Sequence, residues 1–237
     1  MRAYRGTTMT KAETLAQLAA HRKADEIIQG AYWGDGHGCA VGCLTHDSDG
    51  GHDRFPELFG VPTQIAYLMD AIFESLPAEK AKDWPTRIMG AIPEGADLSR
   101  AWDRWCAWML ADLATLDSEA QAEVQAMADL FARAAAGDEP AAEEWDRAAE
   151  AARAVWDARD AGAAWAVWAA GDAWAAGAAR DAGAVWAAGA AGAARDAWAV
   201  WAAGDAWAAW AVWAAGDAWA ADELVRIMET SPVEATA

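Results

Sequence analysis

Apolar and polar positions between residues 10 and 136 recur with a helical period. Over Pro62–Leu76, Ile65, Leu68, Met69, Ile72 and Phe73 fall at i, i+3 and i+4 spacing, the stripe that an amphipathic helix buries. Pro62 suits the first helical position and Pro77 closes the element. Thr10-Lys-Ala-Glu13 has the spacing of a capping box. It opens a helix expected from about Lys11 to Gln29 and ended by Gly30, with Leu15, Leu18 and Ile28 inward. Ala78–Asp83 and Thr86–Ala91 predict short helices. Ala96–Leu116 predicts a longer one with Leu98, Trp102, Trp105, Met109 and Leu113 inward, and these Trp residues read as core. Asp117-Ser118-Glu119 starts a further helix that Gly137 ends, and Glu143–Arg159 mixes charges on a solvated helix after Pro140. Gly137–Pro140 is the best boundary candidate.

The pattern then changes. From Trp156 to Trp219 every Trp falls on a residue number divisible by three, and the Gly residues of Gly162–Gly216 share that frame. Ala166–Gly177, Ala199–Trp210 and Ala211–Asp222 repeat the core Ala-Val-Trp-Ala-Ala-Gly-Asp-Ala-Trp-Ala-Ala. Ala favours helix. On a helix turning about 100° per residue, each triplet slips about 60°, so the Trp row circles the axis instead of forming one stripe. Such a helix asks for burial on several sides, by its own folded-back segments or by partner chains. Trp, Gly and Arg codons can all end in GG, so the stretch also reads as an expanded nine-base DNA repeat with no specific site. Ala197–Ala215 approaches spanning length with only Asp205 charged. One Asp at mid-bilayer costs about 2.5–3.5 kcal/mol, which argues against a membrane span.

Composition narrows the class. The 237 residues carry a net charge of −19, which excludes direct phosphate-backbone binding but allows a basic protein partner or a nucleic-acid mimic. Cys39, Cys43 and Cys106 are an odd set, and Met1–Met9 lacks the apolar region of a secretion signal. These features point to a reduced, cytoplasmic protein. Met9 is a possible initiator, since organised sequence starts just after it.

Candidate chemistry gathers in the Gly/Cys/His-rich loop at 31–55, which holds His37, Cys39, Cys43, His46 and His52. If Gly38–His46 is helical, Cys39, Cys43 and His46 at i, i+4 and i+7 share one face, within about 60°. With His52, or His37, as a fourth ligand, these thiolates and imidazoles suit tetrahedral Zn²⁺, and also iron or copper. Cys39 at a helix N-terminus also suits a nucleophile, with His46 or His52 as base and Asp47, Asp49 or Asp53 orienting it. As a third reading, both thiols are small buried residues in a close-packed Gly-rich helix.

Trp33–Leu44 with its Gly-Cys-Ala-Val-Gly-Cys element, Phe55–Leu76, and Trp84-Pro85…Gly95-Ala-Asp-Leu-Ser99 resemble uncharacterised proteins of bacterial and phage genomes that carry this element ahead of an Ala-rich tail. The resemblance implies a bacterial or phage cytoplasmic protein and implies no activity.

The expectation is an all-α protein: a helical domain over 1–137, an Ala/Trp/Gly-rich helical repeat over 138–228 and a disordered tail over 229–237. Its expected role is a non-enzymatic interaction or structural protein that forms a homo-oligomer, or binds a protein partner, through the repeat. The alternative is a small metal-binding or thiol-dependent enzyme built on Cys39, Cys43, His46 and His52.

Overall fold

The computed structural model describes residues 2–115, 121–157 and 219–233. These residues are helical, and the only β pairing among them is isolated bridges. The helices are α1 (Lys11–Ala24), α2 (Ala40–Thr45), α3 (Phe55–Phe59), α4 (Thr63–Ser75), α5 (Ala78–Ala81), α6 (Trp84–Ala91), α7 (Ala101–Leu113), α8 (Gln121–Ala136), α9 (Ala142–Asp157) and α10 (219–229). None among the described residues is long and apolar enough to cross a membrane. Of the Ala/Trp/Gly-rich repeat segment expected over 138–228, residues 158–218 lie outside the described residues.

The expected capping box is present. The Thr10 hydroxyl accepts from Glu13 N at 3.2 Å, and the Glu13 carboxylate accepts from Thr10 N at 2.9 Å. The helix it opens ends at Ala24, short of the Gln29 expected from sequence. Asp25 takes a left-handed conformation (φ 59), and the chain beyond it pairs with the loop ahead of α2. Ile28 N donates to Gly38 O at 2.9 Å, and Gly38 N donates to Glu26 O at 3.0 Å. Those backbone bonds compete with continued helix and satisfy the same groups. Helix α7 begins at Ala101, five residues after the expected Ala96, for a similar reason: Ala96 accepts from Ala3 N, and Asp97 N donates to Pro232 O.

The chain forms two compact units, one of 1–102 with 213–237 and one of 103–212. In the first, α1 packs on α2 and α6, and α2 packs on α4. Phe55, Phe59, Ile65, Met69, Ile72, Phe73 and Ile88 fill its core, together with Trp84, whose indole N–H donates to Met69 O at 2.9 Å. Both ends of the sequence enter this unit. Ala3 and Tyr4 are buried, Tyr4 N donates to Phe59 O at 2.9 Å, and the Tyr4 hydroxyl donates to Met89 O at 3.0 Å. Residues before Met9 are therefore part of the fold. From α10, Leu224, Ile227 and Met228 are buried and Asp222 pairs with Arg87. Residues 229–233, inside the stretch expected to be disordered, continue to Val233, which bridges Ala96.

In the second unit, α8 and α9 form a helical hairpin whose turn is Gly137–Pro140, with the Phe131 and Trp145 rings 4.8 Å apart. Arg133 pairs with Asp138 at 2.8 Å and Glu144 at 2.6 Å. These pairs stand in water and contribute little, so the buried Val124, Met127, Phe131 and Trp145 carry the hairpin.

The burial of Tyr4 gives a direct test. Tyr4→Phe leaves the Met89 carbonyl without its donor and is expected to lower stability by about 1–2 kcal/mol. Tyr4→Ala is expected to lower it by about 3–5 kcal/mol. Urea denaturation followed by circular dichroism measures both, and a chain beginning at Met9 should be less stable than the Tyr4→Phe variant.

Candidate metal centre

Two glycines set the site. A Cβ on Gly38 would lie 2.1 Å from Tyr32 O, and one on Gly42 would lie 2.9 Å from the Tyr32 carbonyl carbon. Only Gly lets the 31–33 backbone cross the start of α2 this closely. Cys39 N donates to Ala31 O at 2.7 Å in the same crossing. Cys39 is thereby held as the N-cap of α2, extended in backbone (ψ 179), and its sulfur accepts from Gly42 N at 3.4 Å.

Helix α4 brings Asp70 and Glu74 to this thiol. They stand one turn apart, hence on one face. One ligating atom each from Cys39, Asp70 and Glu74 lies within 4.8 Å of the other two. One oxygen of each carboxylate is engaged by a residue outside this set. Asp70 Oδ2 is 3.1 Å from His52 Nε2, and Glu74 Oε2 accepts from Gly30 N at 2.8 Å. Asp70 Oδ1 is buried and takes no close hydrogen bond; the Cys39 thiol, held protonated, is a donor beside the same carboxylate. His52 follows Gly51 in a short 3₁₀ turn, His52–Arg54. Its ring stacks on Tyr67 (4.1 Å between centroids, 7° between planes) and meets the edge of Tyr32 at 5.8 Å. Packing between the two tyrosines fixes the ring that holds Asp70.

The electrostatics are one-sided. Burial pushes the Cys39 thiol well above its ordinary range, and the Asp70 charge pushes it further. Burial also raises Glu74, opposed by the Gly30 hydrogen bond and aided by Asp70. Tyr32 is raised by burial first and then by Asp70. The Asp70 and Glu74 carboxylates, with oxygens within 4.8 Å of one another, repel, and water at the open Glu74 side screens part of that repulsion. A cation at the cluster would remove that repulsion and favour the thiolate.

The four residues singled out in the sequence divide among three surroundings. Cys39 is in the cluster, and His52 stands behind it through Asp70. Cys43 is buried elsewhere on α2, where its thiol donates to Gly38 O at 3.3 Å. His46 is the left-handed C-cap of α2 (φ 53), and its Nε2 lies 2.9 Å from His21 Nε2. His37 is exposed in the Gly34–His37 turn. Cys39, Cys43 and His46 would share one helical face only if helix ran from Gly38 to His46. Helix begins one residue after Cys39 and ends one before His46. For thiol chemistry, His52 directs Nε2 to Asp70, whose charge keeps the proton on sulfur, the opposite of thiol activation. Sequence reasoning missed Asp70, Glu74, Tyr32 and Tyr67. The available signal was two carboxylates one turn apart beside Met69 and Phe73 in the stripe of α4.

Cys43 offers a pH test away from the cluster. Burial first, then the Glu26 charge, pushes its thiol up to about 12 from an ordinary 9.0. The folded state thus holds this proton more tightly than the unfolded state. The stability it contributes is complete below about pH 9 and is lost as pH rises towards about 12, by at most about 1.4 kcal/mol per pH unit. Urea midpoints from pH 8 upward should fall beyond pH 9, and fall less steeply in Cys43→Ala.

No protein-family model, no curated protein and no solved structure matches this chain.

Proposed function

We propose that this protein binds a divalent transition-metal ion, Zn²⁺ foremost, through Cys39 Sγ and the carboxylates of Asp70 and Glu74, with His52 orienting Asp70 from behind. The observation that carries the reading is Asp70 Oδ1, buried without a close hydrogen bond beside the Glu74 carboxylate and the Cys39 thiol. A buried polar atom left unpaired costs about 1–3 kcal/mol, more when charged, and a bound cation removes that penalty. The donor chemistry fits as well. One soft sulfur and two carboxylate oxygens suit a borderline ion better than Ca²⁺ or Mg²⁺. Each donor residue is already held by an outer hydrogen bond: Asp70 by His52, Glu74 by Gly30 N and Cys39 by Gly42 N. Such outer bonds typically aim metal ligands. In a tetrahedral site the donors stand about 3.5 Å apart, so the cluster needs a contraction of about 1 Å. Three protein ligands leave a fourth position for water, as in catalytic zinc sites. With three buried cysteines and no disulfide, a reducing cytoplasm is the compartment that fits.

Native mass spectrometry of the full-length protein purified without chelator tests this. At least one bound zinc per chain is expected, and Asp70→Asn, which keeps shape and removes charge, should weaken the affinity of the zinc at this cluster by at least about tenfold. Replacing the outer His52 by Gln should weaken it about 10–100-fold. A metal-free chain that takes up no added Zn²⁺ while folded rejects the reading.

Self-association through the Trp repeat is a second proposal, supported by the circling Trp pattern and by Trp219, which is 45% exposed at the start of α10. Sedimentation velocity at tens of micromolar should show an oligomer for the full chain and a monomer after deletion of 158–218. A monomeric full chain sinks it.

A further inference from the structure

A second cluster of metal-type donors lies at the other end of α2. His46 Nε2 and His21 Nε2 face one another at 2.9 Å. Two imidazole nitrogens on one tetrahedral ion, each about 2.0–2.1 Å from it, stand about 3.3 Å apart. The observed separation is therefore a few tenths of an ångström short of a shared ion. On the far side of His21, Nδ1 is 2.7 Å from Glu26 Oε2. A carboxylate there holds the proton on Nδ1 and leaves the Nε2 lone pair for a ligand, as the outer carboxylate of a metal-bound histidine does.

The His46 ring is fixed in place from several directions. Its residue is one of the few non-glycine positions at positive φ (φ 53, ψ 41), a conformation that costs of order 1–2 kcal/mol for an L-residue. Trp33 stacks on the ring at 4.3 Å and meets His21 edge-on at 5.1 Å. Gln17 Nε2 donates to Cys43 O at 2.6 Å and Leu44 O at 3.2 Å, which ties the end of α2 to α1, and it lies 3.4 Å from His46 Nε2. Its amide nitrogen donates only, so Gln17 Nε2 positions the helix end beside His46 and does not bind the ion.

We infer that His21 and His46 form a second site for a divalent transition-metal ion, independent of the Cys39 cluster. Without an ion the two rings close through one N–H···N bond, with His46 donating from Nε2 to His21. On binding, that proton moves to Nδ1 of His46, both Nε2 lone pairs face the ion, and no proton leaves the pair. With two imidazoles and no thiolate, selectivity follows Cu²⁺ over Ni²⁺ and Zn²⁺. His46 is exposed and His21 buried, so water from the open side completes the coordination.

The test uses the full-length chain and its Asp70→Asn variant, in which the other site is disabled. Each is stripped with chelator and then titrated with Zn²⁺ or Cu²⁺. Modification of individual histidines by diethyl pyrocarbonate is read by peptide mass spectrometry. Metal should slow modification of His46 at least about tenfold in both proteins, with exposed His37 as the unchanged control. The protection should vanish in His21→Gln and weaken in Glu26→Gln, with folding checked by circular dichroism. Equal His46 rates with and without metal in the folded chain overturn the inference and leave the pair a structural hydrogen bond. Protection in the full-length chain that disappears in Asp70→Asn overturns it too, by assigning the effect to the Cys39 cluster.

Discussion

The crossing of residues 31–33 over the glycine-faced start of α2 is the constraint on which both donor clusters depend. At Gly38 there is no room for any side chain against Tyr32 O, and at Gly42 very little. The crossing buries Cys39 as a helix N-cap and turns its sulfur towards α4. It also sends consecutive aromatic residues to opposite tasks. Tyr32 packs on His52 behind the carboxylates, and Trp33 packs on His46 and His21. One close backbone approach, permitted only by the missing Cβ, thus sets the geometry at both ends of a six-residue helix that propensity alone would not sustain.

The distribution of charge gives the clusters their chemical character. The chain carries 37 acidic against 18 basic residues. Several of the cations pair with carboxylates at the surface, as in Arg22–Asp83, Lys82–Asp25 and Arg87–Asp222. In water such pairs contribute little. Asp70 instead lies in a pocket where its side chain is only 13% exposed, and its nearest partner is an imidazole. The same charge that is nearly neutral in effect at the surface costs more when buried, because desolvation and like-charge repulsion both grow as water is removed.

The first unit is built from two separated stretches of chain. Tyr4 near the start and Leu224, Ile227 and Met228 near the end are buried in it. The Ala/Trp/Gly repeat falls between these stretches in sequence.

The sequence by itself determined the helical class, the capping box at Thr10, the stripe of α4 and the reserve of thiols and imidazoles at 31–55. Each of these rests on local chemistry: a period of 3.6, a side chain reaching its own helix end, or a composition. It also pointed to Cys39 and His52 as residues with something to do. Tertiary structure decided their partners. Asp70 and Glu74 join Cys39 from a helix about 30 positions further on, and His21 joins His46 from α1, because the packing of α2 between α1 and α4 brings those faces together. The end of α1 at Ala24 was likewise decided at a distance, by backbone bonds from Glu26 and Ile28 to Gly38. No local pattern encodes those bonds, since they exist only once two segments distant in sequence lie side by side.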